Sequence, residues 1–176
     1  MPVLSTPSEL ADRLLGERIV VLARELDDDA AAETSARLLL LAAEDARRDI
    51  TLHVLSPGGS PVAALALHDT IRGLGTDVAT VAAGSLAGPV PFVVASGTPG
   101  KRLARPHAAF RPTDDGPVRG SHPGDVRVRA DHLAARRAEI AALTEAYCGA
   151  ALPESVRDRW VSATEAVTLG IVDRNG

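Results

Sequence analysis

Aromatic side chains are nearly absent from this chain: two phenylalanines, one tyrosine and one tryptophan make up 2% of its 176 residues. A core without large rings has to be assembled from alanine, valine and leucine, within a hydrophobic share of 45%. Cysteine is limited to Cys148, which excludes a disulfide within the chain and a cluster of thiolate metal ligands. Basic residues do not outnumber acidic ones: 19 Lys and Arg face 23 Asp and Glu, for a formal net charge of −4. A nucleic-acid surface needs a basic face, so that partner is excluded. No apolar run reaches the roughly 18 residues of a membrane span, and Met1 to Arg18 lacks a secretory layout. The expectation is a soluble cytoplasmic protein with neither membrane, metal nor cofactor. Its length suits one domain with a core of its own, and no internal repeat or low-complexity segment appears.

What is there is organised around residues 50–97. Ile50, Leu52 and Val54 alternate with Thr51 and His53, the period of a strand with one buried face. Ser56-Pro57-Gly58-Gly59-Ser60 breaks it, because proline lacks an amide donor and paired glycines permit a close backbone approach. Ser60 before Pro61 is a helix cap followed by a first-turn proline. Leu67, Ile71 and Leu74 then mark the helix's inner face. Val78 to Ala83 reads as the next strand, and Gly84-Ser85-Leu86-Ala87-Gly88-Pro89 turns into an apolar helix through Phe92, Val93 and Val94.

On the flanks, Ile19 to Leu22 is a buried strand. Asp27, Asp28 and Asp29 crowd the start of a helix, where carboxylates suit the positive end of its dipole. Leu38 to Leu41 make that helix apolar nearly all round, which implies cover on more than one side, from the core or from another subunit. Residues 111–124, rich in proline and glycine, read as a flexible loop. Asp125 caps a long helix ending near Cys148, with Val126, Leu133, Ile140 and Tyr147 as a narrow seam at every seventh position. Arg136-Arg137, like Arg47-Arg48, reads as a solvated charge pair. Ser162 with Glu165 is a capping box, Gly170 closes that short helix, and Ile171-Val172 reads as a terminal strand.

Several of these residues resemble the family of ClpP, the proteolytic subunit of the Clp protease. They are Ser56-Pro57-Gly58-Gly59, His68-Asp69-Thr70-Ile71, Asp77-Val78, Gly84, Phe92, Gly97 and Gly100-Lys101-Arg102. Upstream, Glu17-Arg18-Ile19-Val20 and Glu44-Asp45 fit. Downstream, Arg157 through Ala163 and Glu165-Ala166 through Gly170-Ile171-Val172-Asp173 fit in the right order. The resemblance covers most of the chain without a long insertion. It implies an α/β fold of the ClpP/crotonase kind, with repeated ββα units and a projecting handle helix, here 125–148. In that family the handle lets two heptameric rings face each other. A helix lying on its own sheet would explain the same seam equally well. The resemblance also implies an N-terminal axial loop that gates a pore and meets a Clp-family ATPase; residues 1–16 read as a reduced version. Partners implied are other ClpP-type subunits in homo- or hetero-oligomeric rings, that ATPase, and polypeptide substrates.

The family cuts peptides with a Ser–His–Asp triad and two backbone amides as oxyanion hole. A serine hydroxyl needs an imidazole to take its proton and a carboxylate to hold that imidazole. Gly84 fixes the register of the family's Gly-x-x-x-Ser-Met-Gly pattern, and the nucleophile position is then Gly88. Pro89 follows, where an oxyanion amide should be, and proline has no N–H. The base position falls on Thr113 without a gap, or on Phe110 if Arg111-Pro112 is aligned to the family's Gln-Pro; neither is a base. Asp158 matches the triad acid and Gly59 the other oxyanion glycine. Without an imidazole to orient, Asp158 also reads as a partner for Arg157, Arg159 or an arginine of a neighbouring subunit.

Three functions remain open. The first is a catalytically degenerate, structural or regulatory ClpP-type subunit. The second is an active serine endopeptidase that uses Ser85 with His107 or His122. The third, an acyl-CoA-binding or hydrating protein of crotonase type, is disfavoured because no pair of acidic catalysts lies near Gly59 and Gly88. His132 is a further nearby imidazole. His53 on a strand and His68 on a helix read as packing residues, and Ser60 as a cap.

Overall fold

The computed structural model describes residues 7–112, 123–156 and 159–176. Helix α1 (Pro7–Gly16) leads into strand β1 (Ile19–Leu22), helix α2 (Asp28–Glu44) and strand β2 (Ile50–Val54). Helix α3 (Pro61–Gly73), strands β3 (Val78–Ala82) and β4 (Ser85–Ala87) and helix α4 (Val90–Ala95) follow. Strands β5 (Arg102–Ala104) and β6 (Ala109–Arg111) precede the long helix α5 (Pro123–Cys148). A 3-10 turn (Glu154–Val156), strand β7 (Val161–Ser162), helix α6 (Ala163–Thr168) and strand β8 (Arg174–Asn175) close the chain.

A five-stranded parallel sheet runs in the order β1-β2-β3-β5-β8, with Val20 opposite Leu52 and Leu52 opposite Thr80. Parallel pairing requires a crossover between neighbours, and α2 and α3 supply the first two. The alternation in β2 does what its period demands: Ile50, Leu52 and Val54 are fully buried while Thr51 and His53 are not. Ser60 caps α3 by accepting from the Ala63 amide at 3.4 Å, and Asp27 caps α2 through the Ala30 amide at 2.7 Å. Ser162 accepts from the Glu165 amide at 3.2 Å, and Gly170 takes a positive φ of 75° just past α6. The Glu165 carboxylate does not return to the cap; it meets Arg159, so that box is half closed.

Four expectations need correction. First, the segment after Gly84 does not pass straight into a helix. It forms β4 and joins a second sheet of order β4-β6-β7 that is too short in each strand to show a period. Second, the last strand is not Ile171-Val172, which are buried in the turn, but Arg174–Asn175, whose pairing with Leu103 and Ala104 sets its place. Third, α5 starts at Pro123 rather than after Asp125, since a first-turn proline needs no amide partner. Fourth, of the two covers open to α2, the core of this chain supplies that of one side only. Leu38 and Leu41 are buried, but Leu39 and Leu40 are 55% and 49% exposed.

Along α5 the expected seam is sheltered at every position: Val126, Leu133 and Tyr147 are half-buried and Ile140 is buried, while Val128, off the seam, is 72% exposed. The helix packs through its C-terminal half on α3 and α4, and the N-terminal half stands clear of the core. No described helix is long and apolar enough to cross a membrane.

Two buried cations brace the sheet. Arg18, at a positive φ of 61° and 5% exposed, donates to four carbonyls: Leu41 at 2.8 Å, Asp45 at 2.9 Å, Arg48 at 2.8 Å and Asp49 at 3.1 Å. It thereby ties the end of α2, where the Leu41 carbonyl also accepts from the Asp45 amide at 3.1 Å, to the turn before β2. Arg102 ties β5 to the turn before β8, donating from Nη2 to Asp173 Oδ1 at 2.5 Å and from Nε to Oδ2 at 3.1 Å. Burial alone would raise the Asp173 carboxyl. The hydrogen bonds from the Arg102 side chain and backbone more than offset that and hold it below the ordinary 3.8. A depressed folded value means the bond's stability is fully present above 3.8 and is lost as pH falls through the lower folded value. Asp173→Asn is expected to cost about 2 kcal/mol in urea unfolding at neutral pH, the scale of a charge-assisted hydrogen bond. The gap to the parent should close as the buffer is acidified below that window.

Candidate active site

Two turns meet at the carboxyl ends of β2 and β4. The first, Ser56 to Ser60, follows β2. The buried Ser56 hydroxyl donates to the Gly58 carbonyl at 2.9 Å and fixes the turn. Leu26 then bridges it like a short parallel strand, donating to the Gly58 carbonyl at 2.9 Å and accepting from the Ser60 amide at 2.8 Å. Gly59 lies between those two bonds. A side chain on it would collide with the Leu26 carbonyl oxygen, so glycine is required by the approach of backbone to backbone. Among the described residues no hydrogen bond takes the Gly59 N–H, which leaves it available as an oxyanion donor.

The second turn joins β4 to α4. A Cβ on Gly58 would lie 3.9 Å from the Ala87 carbonyl oxygen, so the two turns are neighbours. Gly88 adopts φ 62°, and its amide donates to the Arg111 carbonyl at 2.9 Å, so that N–H is spent on β6. Pro89, at φ −80° and ψ −7°, caps α4 with no side-chain hydrogen bond. The corner thus offers no hydroxyl at Gly88 and no amide at Pro89. All six residues of α4 are buried, so packing fixes this corner whatever its chemistry.

The register of β4 on β6 places Ser85 beside Ala109, Leu86 beside Phe110 and Ala87 beside Arg111. Phe110 is fully buried and opposite Leu86, a core side chain two residues short of Gly88. Thr113, His122 and Asp158 lie outside the described residues. Ser85 opens β4 as a strand residue rather than a helix start, and it is exposed, as are His107 after β5 and His132 on α5. Among the described residues no hydrogen bond joins the Ser85 hydroxyl to an imidazole. His53 is half-buried on β2, and burial first, then the charge of Arg105, holds its imidazole below the ordinary 6.5.

One serine–imidazole contact does occur elsewhere, and sequence reasoning missed it. His68 Nδ1 lies 3.1 Å from Ser96 Oγ, with Asp69 Oδ1 at 4.0 Å from Nε2. The composition is that of a triad, but the geometry is not. Ser96 is fully buried, so no substrate carbonyl can reach it, and its proton goes to the Phe92 carbonyl at 2.8 Å. Nothing in the spacing of 28 residues announces this pair. Among the described residues, no group of three His, Cys, Asp or Glu side chains could hold a metal ion.

Comparison with known proteins bears on this geometry. The sequence profile of the Clp protease family matches residues 5–175. The chain is 39% identical over 170 residues to the ATP-dependent Clp protease proteolytic subunit 2 of Corynebacterium glutamicum, covering 94% of this chain and 85% of that one. It is 41% identical over 175 residues to proteolytic subunit 1 of Mycobacterium tuberculosis, covering 97% and 87%. With proteolytic subunit 3 of Streptomyces coelicolor it shares 38% identity over 178 residues, covering 98% and 82%. Identity of this extent, together with a parallel α/β sheet whose glycine turn abuts the β4–α4 corner, makes the chain a member of the Clp protease family, of the ClpP proteolytic-subunit type.

Proposed function

We propose that this chain is a catalytically inert ClpP-type subunit. It would serve a structural or regulatory role in a cytoplasmic ring, alone or beside active subunits. The observation that carries the reading is the Gly88-Pro89 corner: the nucleophile position has no side chain and the residue after it no N–H. Exposed Leu39 and Leu40 on α2 and the uncovered half of α5 supply apolar surface of the kind that subunit contacts bury. The relatives' names number their subunits 1, 2 and 3, which fits members that work in sets. A Clp-family ATPase and polypeptide substrates would be partners of the whole ring rather than of this subunit's own corner.

The test combines reactivity and mass. The purified chain is expected to take no label from a serine-reactive fluorophosphonate, yet to run as a ring-sized assembly in native mass spectrometry, alone or after co-expression with an active subunit. Stoichiometric label on any serine overturns the inert reading. Label at Ser85, with peptide cleavage abolished by Ser85→Ala, would establish the relocated endopeptidase instead.

A further inference from the structure

His68 stands where three helices meet. It lies on α3, 6% exposed, and faces Ser96 at the end of α4 and Tyr147 near the end of α5. The Phe92 ring centroid is 4.9 Å from the imidazole and that of Tyr147 5.8 Å. The hydrogen count fixes the tautomer. Ser96 has one hydroxyl proton and gives it to the Phe92 carbonyl, so its oxygen accepts from Nδ1–H at 3.1 Å. The Tyr147 hydroxyl, 3.5 Å from the same nitrogen, sits at the outer limit of hydrogen-bond range. Nε2 is therefore bare, and a second proton has one place to go.

The charges around that nitrogen are few. From α3 come Asp69, whose carboxylate is 4.0 Å away and 82% exposed, and Arg72, whose guanidinium lies 5.8 Å from the Tyr147 ring centroid. From α5 comes Glu139, already bonded to Arg136 at 2.8 Å. From α4 come only Ser96 and the Phe92 ring. A protonated ring would thus be drawn outward to Asp69, away from Ser96 and Tyr147, while the charge of Arg72, exposed on α3, would oppose its protonation.

We propose that this joint is an acid-sensitive latch: protonating His68 turns its ring toward Asp69 and loosens the seating of the C-terminal half of α5. Among the described residues of α5 the buried side chains, Ile140 and Thr144, lie in that half, so its grip on the core is made beside this joint. Burial is the largest influence on the imidazole and holds it below its ordinary 6.5; Asp69 works against burial and Arg72 with it. The sign follows. The neutral joint is at full strength above 6.5, and stability is lost as pH falls through 6.5 toward the lower folded value. The latch concerns how a helix is anchored and is independent of whether the corner at Gly88 is inert.

Tyr147 is the chain's single tyrosine, so full-length protein labelled with fluorotyrosine gives one 19F resonance from the joint itself. Followed from about pH 7.5 to about pH 5, it is expected to shift with a midpoint below 6.5. His68→Gln should abolish the shift, and Asp69→Asn should lower its midpoint. Hydrogen-exchange protection over residues 140–148 should fall by up to about tenfold per pH unit between 6.5 and the midpoint and level off below it, while β2 and β3 keep theirs. A flat resonance in the parent protein overturns the proposal without need of any variant. So does a shift that survives in His68→Gln, or a loss of protection spread evenly over the sheet.

Discussion

Gly88→Ser alone is expected to leave peptide cleavage undetectable, and only the combination Gly88→Ser, Pro89→Met and Thr113→His should bring it above background. The reason is arithmetic. Triad members act as a unit, and removing any of the principal ones costs roughly as much as removing all, about 10⁶ in rate. A missing oxyanion donor costs a further 10²–10³ or so. Relative to a family member with an intact site, this chain should therefore be slower by at least about 10⁶. A lone hydroxyl at 88 recovers none of that without a base to take its proton. Pro89→Met restores an N–H beside that of Gly59, which the Leu26 bridge already leaves unspent. Turnover of a fluorogenic peptide, measured for each single, double and triple change, checks the order. Cleavage by Gly88→Ser alone would mean that an imidazole already serves the corner.

Arg18→Met is expected to cost about 3–5 kcal/mol, enough to leave much of a marginal domain unfolded at ambient temperature. The guanidinium holds four carbonyls drawn from the end of α2 and the turn before β2. Methionine matches the stem but strands the Asp45, Arg48 and Asp49 oxygens, while that of Leu41 keeps the Asp45 amide at 3.1 Å. Lysine would keep the charge while offering a compact ammonium in place of a planar fork, so Arg18→Lys should recover only part of the loss. Urea unfolding followed by far-ultraviolet circular dichroism reads both. Wild-type stability in Arg18→Met would show that water replaces the fork without penalty.

What was legible in the sequence is what is chemically local. Asp27, Ser60-Pro61 and Ser162 name three helix starts because a cap bonds within three residues of itself. The glycine turn and the alternation before it were visible for the same reason. Nothing local marks Arg18 as a buried brace, since its acceptors are 23 to 31 residues away. The strands β4, β5 and β6, three residues each, are too short for any period, and polar β8 is a strand only because β5 lies beside it. At the site, Gly88 and Pro89 could be read from their spacing after Gly84, because the loss of a side chain and of an N–H are properties of residue type alone. The pairing of His68 with Ser96 could not, since it depends on how α3 and α4 pack.

The backbone angles at the corner have a consequence for stability. Glycine is the residue most at ease at φ 62°, and the −80° at the next position already suits a pyrrolidine ring. Any residue with a β-carbon at 88 would sit there under torsional protest, and a freer residue at 89 would enlarge the disordered ensemble, each by about 1 kcal/mol. Glycine at 88 and proline at 89 thus hold this corner in a relaxed backbone, and each change that would give it a hydroxyl or an amide would work against that rest.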